Sequence, residues 1–320
     1  MNRFLLFPLG MLLASGANAQ SVNIPLPPPT PLGGGDIASD RGNAPGLSSP
    51  TAMRALKPAA QYSDAELRAM GTGVAFPYEL LDGVLKRYVD KGGNVYYLKA
   101  KGDNDLDTFV RAVAIADLGQ FPVFTTPVDL KDATKGMMPD RSPETPFWIN
   151  SYNALRLKAI ADRYPGISNT QLKQLDTAKN LTVAGQTYSF ALLRQKIAAM
   201  DPRALFALMS GIKDGPSASI AVYRYSGLGQ QLNLAVQGFV NDQTKVAAPD
   251  RLTNSVEVSP FLAEVDPFFK PRGSRRKNAG VREVLSTYSK SGASRGYFTT
   301  SEYTIKFSLA DNKLNEQIGR

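Results

Sequence analysis

The chain has 320 residues, of which 43% are hydrophobic, and it carries a formal net charge of +9. It contains neither cysteine nor histidine, which excludes disulfides, thiolate or imidazole metal ligands, and any catalytic pair that needs either residue. Catalysis would therefore depend on Asp, Glu, Lys, Tyr, Ser or Thr. The chain also lacks the acidic loop pattern that binds calcium, and we predict no metal site and no cofactor.

The N-terminus has the three parts of a secretory signal peptide. Arg3 supplies a positive charge, a short apolar run follows from Phe4 to Ala14, and Ala17-Asn18-Ala19 forms a cleavage site. We therefore predict a signal peptide over residues 1–19. No later stretch reaches the roughly 18 to 20 apolar residues of a membrane span. The protein is thus predicted to be exported, to the periplasm or the extracellular space, and not to be transmembrane.

The excess of positive charge bears on the kind of partner. A basic protein favours anionic partners such as a lipid surface or an acidic envelope polymer. Nucleic acid is an unsuitable partner for an exported protein. The alternative is a basic surface with no dedicated partner.

Residues 20–61 are rich in Pro, Gly and Ser, with a proline-rich run from Pro25 to Pro31 and three glycines from Gly33 to Gly35. This composition cannot form a core, and it predicts a disordered tether. The folded domain is predicted to span residues 62–320.

The first half of this domain contains helix signals and one strand signal. Ser63 to Glu66 has the form of a capping box that opens a short helix. Apolar residues at helical spacing predict a second helix from Pro77 and a third over Asp103–Leu118. Between these two helices, Asn94–Leu98 is predicted to be a strand. Phe121–Asp140 lacks periodicity and is predicted to be a long loop.

The central segment, Phe147–Pro165, contains the only tryptophan of the chain, Trp148, and a dense apolar series at helical spacing. It predicts a largely buried helix, with Pro146 in its first turn. Asn150 and Asn153 lie on neighbouring sides of this helix, although asparagine is a poor interior helix former. Their amides either tie a neighbouring loop to the helix or form the polar wall of a substrate groove.

The second half alternates short predicted helices and strands. Predicted helices cover Ser168–Leu175, Phe190–Met200, Leu228–Val240 and Val281–Tyr288. Predicted strands cover the hairpin Leu181–Tyr188, Ala204–Met209, Arg251–Val258 and Tyr303–Ser308. No regular strand–helix alternation occurs. The pattern indicates a single α+β domain of packed helices with short antiparallel strands around the central buried helix.

Several ordered stretches carry a family resemblance. The central helix begins Phe-Trp-Ile-Asn-Ser-Tyr-Asn-Ala at Phe147–Ala154 and is followed by Tyr164-Pro165. Downstream are an Asp-Pro-Arg…Phe-Ala-Leu segment over Asp201–Leu208 and the pair Leu314-Asn315. Together they resemble the domain of unknown function 547 family over Tyr78–Glu316.

The chain departs from this family at the residues that suggest chemistry. Family members typically have a Glu-His pair where this chain has Arg194 and Gln195. Their Cys-Gly-x-x-x-Cys-Pro loop corresponds to Ser210–Pro216, with Gly215 at the second cysteine. Loss of both cysteines and the histidine implies that thiolate–imidazole chemistry is absent.

The preferred hypothesis is therefore a non-catalytic, pseudoenzyme-like binding or scaffold module of the cell envelope. Its groove would be lined by Trp148, Asn150, Tyr152 and Asn153, beside the Ser210 loop.

A serine hydrolase acting on cell-wall peptides is the alternative. Ser210-Gly-Ile-Lys213 has the S-x-x-K form, in which a neutral lysine takes the serine proton, so no histidine is needed. Ser151-Tyr-Asn153 and Lys290-Ser-Gly292 mimic the two further motifs of such enzymes. Their order along the chain is wrong, because the S-x-N element precedes S-x-x-K.

A basic loop over Pro271–Gly280 contains four cations, Arg272, Arg275, Arg276 and Lys277. They are candidate anion-binding residues for an acidic polymer or lipid head groups. The alternative is a solvated loop without a ligand.

Overall fold

We describe a computed structural model of the chain. It describes residues 58, 61–70, 76–120, 124–125, 139–140, 144–290, 292–300 and 302–317. The predicted signal peptide, nearly all of the predicted tether and most of the predicted loop Phe121–Asp140 lie outside these residues.

Helices dominate the described part of the chain. The α-helices are α1 Asp64–Ala69, α2 Tyr78–Tyr88, α3 Tyr97–Ala100, α4 Asn104–Ile115, α5 Glu144–Ala161, α6 Asn169–Thr177, α7 Phe190–Met200, α8 Leu228–Val240, α9 Phe261–Phe269, α10 Ala279–Tyr288 and α11 Ala293–Thr300. The strands are β1 Phe124–Thr125, β2 Pro139–Asp140, β3 Leu181–Val183, β4 Gln186–Tyr188, β5 Ser255–Val258 and β6 Thr304–Phe307. The predicted α+β class is confirmed.

Helix α5 is the centre of the domain, as the sequence predicted. It packs directly against α3, α4 and α7. Trp148 is 0% exposed, and burial extends around nearly the whole helix rather than along one stripe. Near its start, the Phe147 ring makes edge-on contacts with Phe76 and Trp148 at centroid distances of 5.3 Å each. Such aromatic pairs add stabilisation beyond their buried area.

Three of the predicted helices begin at a capping serine. Ser63 and Ser168 both form complete capping boxes, at α1 and α6. Ser189 caps α7 through the Leu192 backbone N–H. In the hairpin of β3 and β4, the two turn residues have positive φ angles, which confirms the predicted tight turn.

Three strand predictions need correction. Over Asn94–Leu98, only Val95 makes strand-like bridges, and helix α3 begins at Tyr97. The run Ala204–Met209 is not a strand, because Pro202–Ala207 forms a 3₁₀ helix. Arg251–Val258 is strand only from Ser255, since a turn occupies its first four residues.

The physical reason is clearest at the 3₁₀ helix. The Asp201 carboxylate accepts a hydrogen bond from the Arg203 N–H at 2.9 Å, and Pro202 occupies the first position, where its missing donor costs nothing. The apolar residues that follow are buried on all sides. A uniformly apolar run has no periodicity that separates strand from helix.

Strand pairing also differs in one place from the predicted antiparallel arrangement. The pairs β1–β2 and β3–β4 are antiparallel, whereas β5 and β6 pair in parallel from Ser255 with Thr304 to Val258 with Phe307. Helices α9, α10 and α11 lie between these two strands in sequence, which is the kind of crossover that a parallel pair requires. Helices α9 and α11 were not predicted.

The segment Asp311–Gln317, which we call the C-terminal strap, connects two distant parts of the domain. Its backbone pairs with Val95 on one side and with Gly211–Asp214 on the other. Asn315 is 5% exposed, and its side chain accepts a hydrogen bond from the Tyr97 hydroxyl at 2.7 Å and donates one to the Gly93 carbonyl at 3.0 Å.

None of the helices in the described ranges is both long and apolar enough to cross a bilayer.

Candidate functional site

Asn150 and Asn153 each clasp a neighbouring backbone segment. The Asn150 amide donates to the Tyr223 carbonyl at 2.7 Å and accepts from the Tyr223 N–H at 3.0 Å. The Asn153 amide donates to the Ala207 carbonyl at 3.0 Å and accepts from the Met209 N–H at 2.8 Å. Both asparagines therefore tie loops to α5, which is the first of the two interpretations given above.

The Asn153 clasp holds the backbone immediately before Ser210, at the start of the loop Ser210–Pro216. The Ser210 hydroxyl accepts from the Ile212 N–H at 3.1 Å and lies 3.0 and 3.1 Å from the carbonyl oxygens of Ile212 and Pro216. A Cβ placed on Gly215 would lie 2.2 Å from the Ser210 Cβ. Positions 210 and 215 are therefore in direct contact across a tight turn.

Lys213 does not hydrogen-bond to the Ser210 hydroxyl. Its side chain is exposed, and its backbone N–H donates to the Lys313 carbonyl of the C-terminal strap at 2.9 Å. The neighbouring Asp214 carboxylate accepts from the Asp311 N–H rather than pairing with Lys213. The S-x-x-K residues are thus close in sequence without forming a nucleophile–base contact.

The other two motifs of the alternative hypothesis do not lie at the cavity beside Ser210. The Ser151 hydroxyl is fully buried in α5 and has no hydrogen-bond partner among the described residues. The Lys290 backbone N–H donates to the Asn241 side chain at 2.7 Å, at the end of α8. Neither Ser151 nor Lys290 lines the cavity beside Ser210.

That cavity has a volume of about 150 Å³ and is bounded by α5, α7, α9, the Ser210 loop and residues just before and within the strap. Its polar walls include Tyr152, Arg156, Arg194, Ser210, Asp214 and Glu264. Of the four residues predicted to line a groove, only Tyr152 lines this cavity. Trp148, Asn150 and Asn153 are at most 4% exposed inside the core.

Arg156 lines the cavity and is 4% exposed. Its Nε and Nη2 donate to the Ser210 carbonyl at 3.0 and 2.9 Å, and its Nη1 donates to Asp176 at 2.8 Å. The guanidinium also lies 5.0 Å from the centroid of the Phe190 ring. A buried guanidinium with this many partners is a fixed structural cation.

Arg194 is the more accessible of the two arginines. Its Nη2 donates to the Glu264 carboxylate at 2.6 Å, and the side chain is partly exposed. Burial alone would lower the pKa of Arg194, but the Tyr152 phenol and the Glu264 and Asp176 carboxylates raise it overall. Burial also raises the pKa of the Tyr152 phenol, against the effect of Arg156 and Arg194. The cavity therefore presents a neutral phenol beside two arginines that are paired with the Asp176 and Glu264 carboxylates.

The family resemblance relates these positions to one another. Three of the positions that the resemblance singled out, Arg194, Ser210 and Gly215, line the same cavity. Gln195, at the histidine position, is exposed and does not line it.

Sequence reasoning did not single out Arg156, Asp176 or Glu264. Arg156 could have been found, because it lies three residues after Asn153 and so on the same side of α5. Glu264 lies on α9, which was not predicted, and it reaches Arg194 across a separation of 70 residues. A pattern of neighbouring residues in the sequence therefore cannot predict that contact.

The predicted anion-binding residues lie on a different surface. Arg272, Arg275 and Lys277 are exposed and form no ion pair within the described residues. Arg276 pairs with Glu302. None of the four lines the cavity.

Comparison with known proteins agrees with the resemblance noted above. Residues 137–240 match the profile of the family described as "Protein of unknown function, DUF547". The matched range contains α5, α7, the Ser210 loop and α8. No curated protein and no solved structure matches the chain.

Proposed function

We propose that this protein is an exported, non-catalytic binding module of the cell envelope, in the periplasm or outside the cell, with the cavity beside Ser210 as its binding site. One observation supports this proposal above the others. The cavity contains three positions where the family typically has candidate reactive residues, yet in this chain they form no nucleophile–base pair.

Nucleophilic catalysis by serine needs a base within about 2.6–3.2 Å of the hydroxyl. The groups around the Ser210 hydroxyl are two backbone carbonyls and one backbone N–H, none of which is basic. The exposed Lys213 ammonium makes no hydrogen bond with it. The Ser210 hydroxyl thus stabilises the loop through its hydrogen bonds and has no base that would make it a nucleophile.

The size of the cavity suggests what it would hold. Its volume of about 150 Å³ is below the range of about 300–1,000 Å³ that is usual for small-molecule sites. A single side chain or chain end of a larger partner would fit this space better than a whole metabolite. Arg194 is the partly exposed cation that such a group would meet. A scaffold or binding role follows more readily from this than turnover of a free substrate.

The competing proposal is a serine hydrolase that acts on cell-wall peptide through Ser210 with Lys213. A serine-directed fluorophosphonate separates the two, because it phosphonylates only an activated hydroxyl. We expect the wild-type protein and the Ser210→Ala variant each to keep its own untreated intact mass after incubation. A stoichiometric adduct in the wild type that Ser210→Ala abolishes would overturn the non-catalytic assignment.

A further inference from the structure

The positive charge of the chain is concentrated in one segment. Residues 270–306 contain nine Lys or Arg and two Glu, so this segment alone accounts for +7 of the net charge of +9. It includes the basic loop, α10, α11 and most of β6. Neither of the two glutamates, Glu283 and Glu302, forms an ion pair with the exposed cations Arg272, Arg275 and Lys277.

Exposed apolar side chains accompany these cations. The turn that precedes β5 carries Arg251 and Leu252, and Leu252 is 98% exposed. On the last turn of α9, Phe268 is 43% exposed, two residues before the segment begins at Lys270. A fully exposed leucine next to an exposed arginine contributes nothing to the core.

Contacts through Glu302 connect the Leu252 turn to the basic loop. Asn254, in the same turn as Leu252, donates a hydrogen bond to the Glu302 carbonyl and accepts one from the Tyr297 hydroxyl at 2.7 Å. The Glu302 carboxylate pairs with Arg276 of the basic loop. The cations and the protruding leucine therefore belong to one continuous surface, which also includes the Asp250 carboxylate that caps the turn.

We propose that this surface docks on an anionic lipid bilayer. Anionic head groups attract exposed Lys and Arg, and a protruding aliphatic side chain gains free energy when it enters the interfacial region of a bilayer. A soluble acidic polymer would satisfy the cations but would leave Leu252 in water. The combination of charge and exposed apolar groups thus favours lipid over polymer. This inference does not depend on the cavity.

The test is co-sedimentation of the chain from Gln20 onward, the proposed mature form, with phosphatidylcholine vesicles with and without phosphatidylglycerol. We expect binding only to the anionic vesicles. Replacing Arg272, Arg275 and Lys277 together by Gln should weaken it about a hundredfold, since each cation near an anionic surface contributes roughly a factor of five. Leu252→Ser should weaken it roughly tenfold.

A matched control makes the same change in net charge elsewhere. Lys91, Lys173 and Lys179 are exposed and outside the segment, and their joint replacement by Gln should leave vesicle binding unchanged. Equal losses in the two triple variants would show a non-specific effect of net charge and overturn the proposal. Absence of binding to anionic vesicles would overturn it too. If the protein instead failed to bind vesicles but bound inorganic polyphosphate, and Leu252→Ser left that binding unchanged, the surface would be assigned to a polymer.

Discussion

Replacing Asn153 measures how much free energy its two hydrogen bonds contribute to holding the Ser210 loop in place. Asn153→Leu removes the amide donor and acceptor, which leaves the Ala207 carbonyl and the Met209 N–H unpaired at positions only 2% and 1% exposed. Each buried backbone group that loses its partner costs about 1–3 kcal/mol, so the two together cost about 2–6 kcal/mol. Leucine recovers about 1 kcal/mol by apolar burial. We therefore expect the free energy of unfolding to fall by about 3 kcal/mol.

Urea denaturation followed by the fluorescence of Trp148 measures this loss, because Trp148 is the only tryptophan and is fully buried. The midpoint should fall while the slope with urea stays the same, since the surface exposed on unfolding does not change. Asn180→Leu is the matched control, because Asn180 is exposed and its side chain makes no hydrogen bond to the described residues. A loss below about 1 kcal/mol for Asn153→Leu would refute the assignment of the clasp.

Two further predictions concern packing and pH. Gly215→Ala should destabilise the protein by about 1–3 kcal/mol in the same assay, because the new methyl group would overlap Ser210. Gly238→Ala, in open space on α8, should instead be neutral or stabilising, and equal effects of the two would contradict the packing argument. Burial opposes ionisation of Asp103, but hydrogen bonds from the backbone of α4 and from Arg87 hold its pKa below the usual 3.8. This stabilisation is present above pH 3.8 and is lost as pH falls through the lower pKa of the folded state. Asp103→Asn should therefore flatten the decline in unfolding free energy at acid pH. An unchanged pH profile would rule out this role of Asp103.

Features of the fold that depend on adjacent residues could be predicted from the sequence. Ser63, Ser168 and Ser189 cap helices where their side chains reach the next turn, and that geometry depends on residues three apart. The length and apolar density of α5 were sufficient to predict a central buried helix. The resemblance carried by Phe147–Ala154 was confirmed over residues 137–240.

Features that depend on tertiary contacts could not be predicted in this way. The 3₁₀ helix Pro202–Ala207 is apolar throughout its second half, so its hydrophobic pattern favoured a strand equally well. Pro267 lies within α9 and obscured that helix in the sequence. The cavity combines Arg194 on α7 with Glu264 on α9, a pairing that only the packed domain creates.

The C-terminal strap has a consequence for the order in which the chain folds. Its residues are translated long after the groups they bind, since Asn315 follows Tyr97 by 218 residues and Asp311 follows Asp214 by 97. Until the strap emerges from the ribosome, the buried polar groups of Val95 and Gly211 lack their partners, and contacts over such separations form slowly. The domain therefore cannot close until the strap has been synthesised. That late closure suits the proposed export, because a chain whose fold is still incomplete can be threaded through a narrow channel.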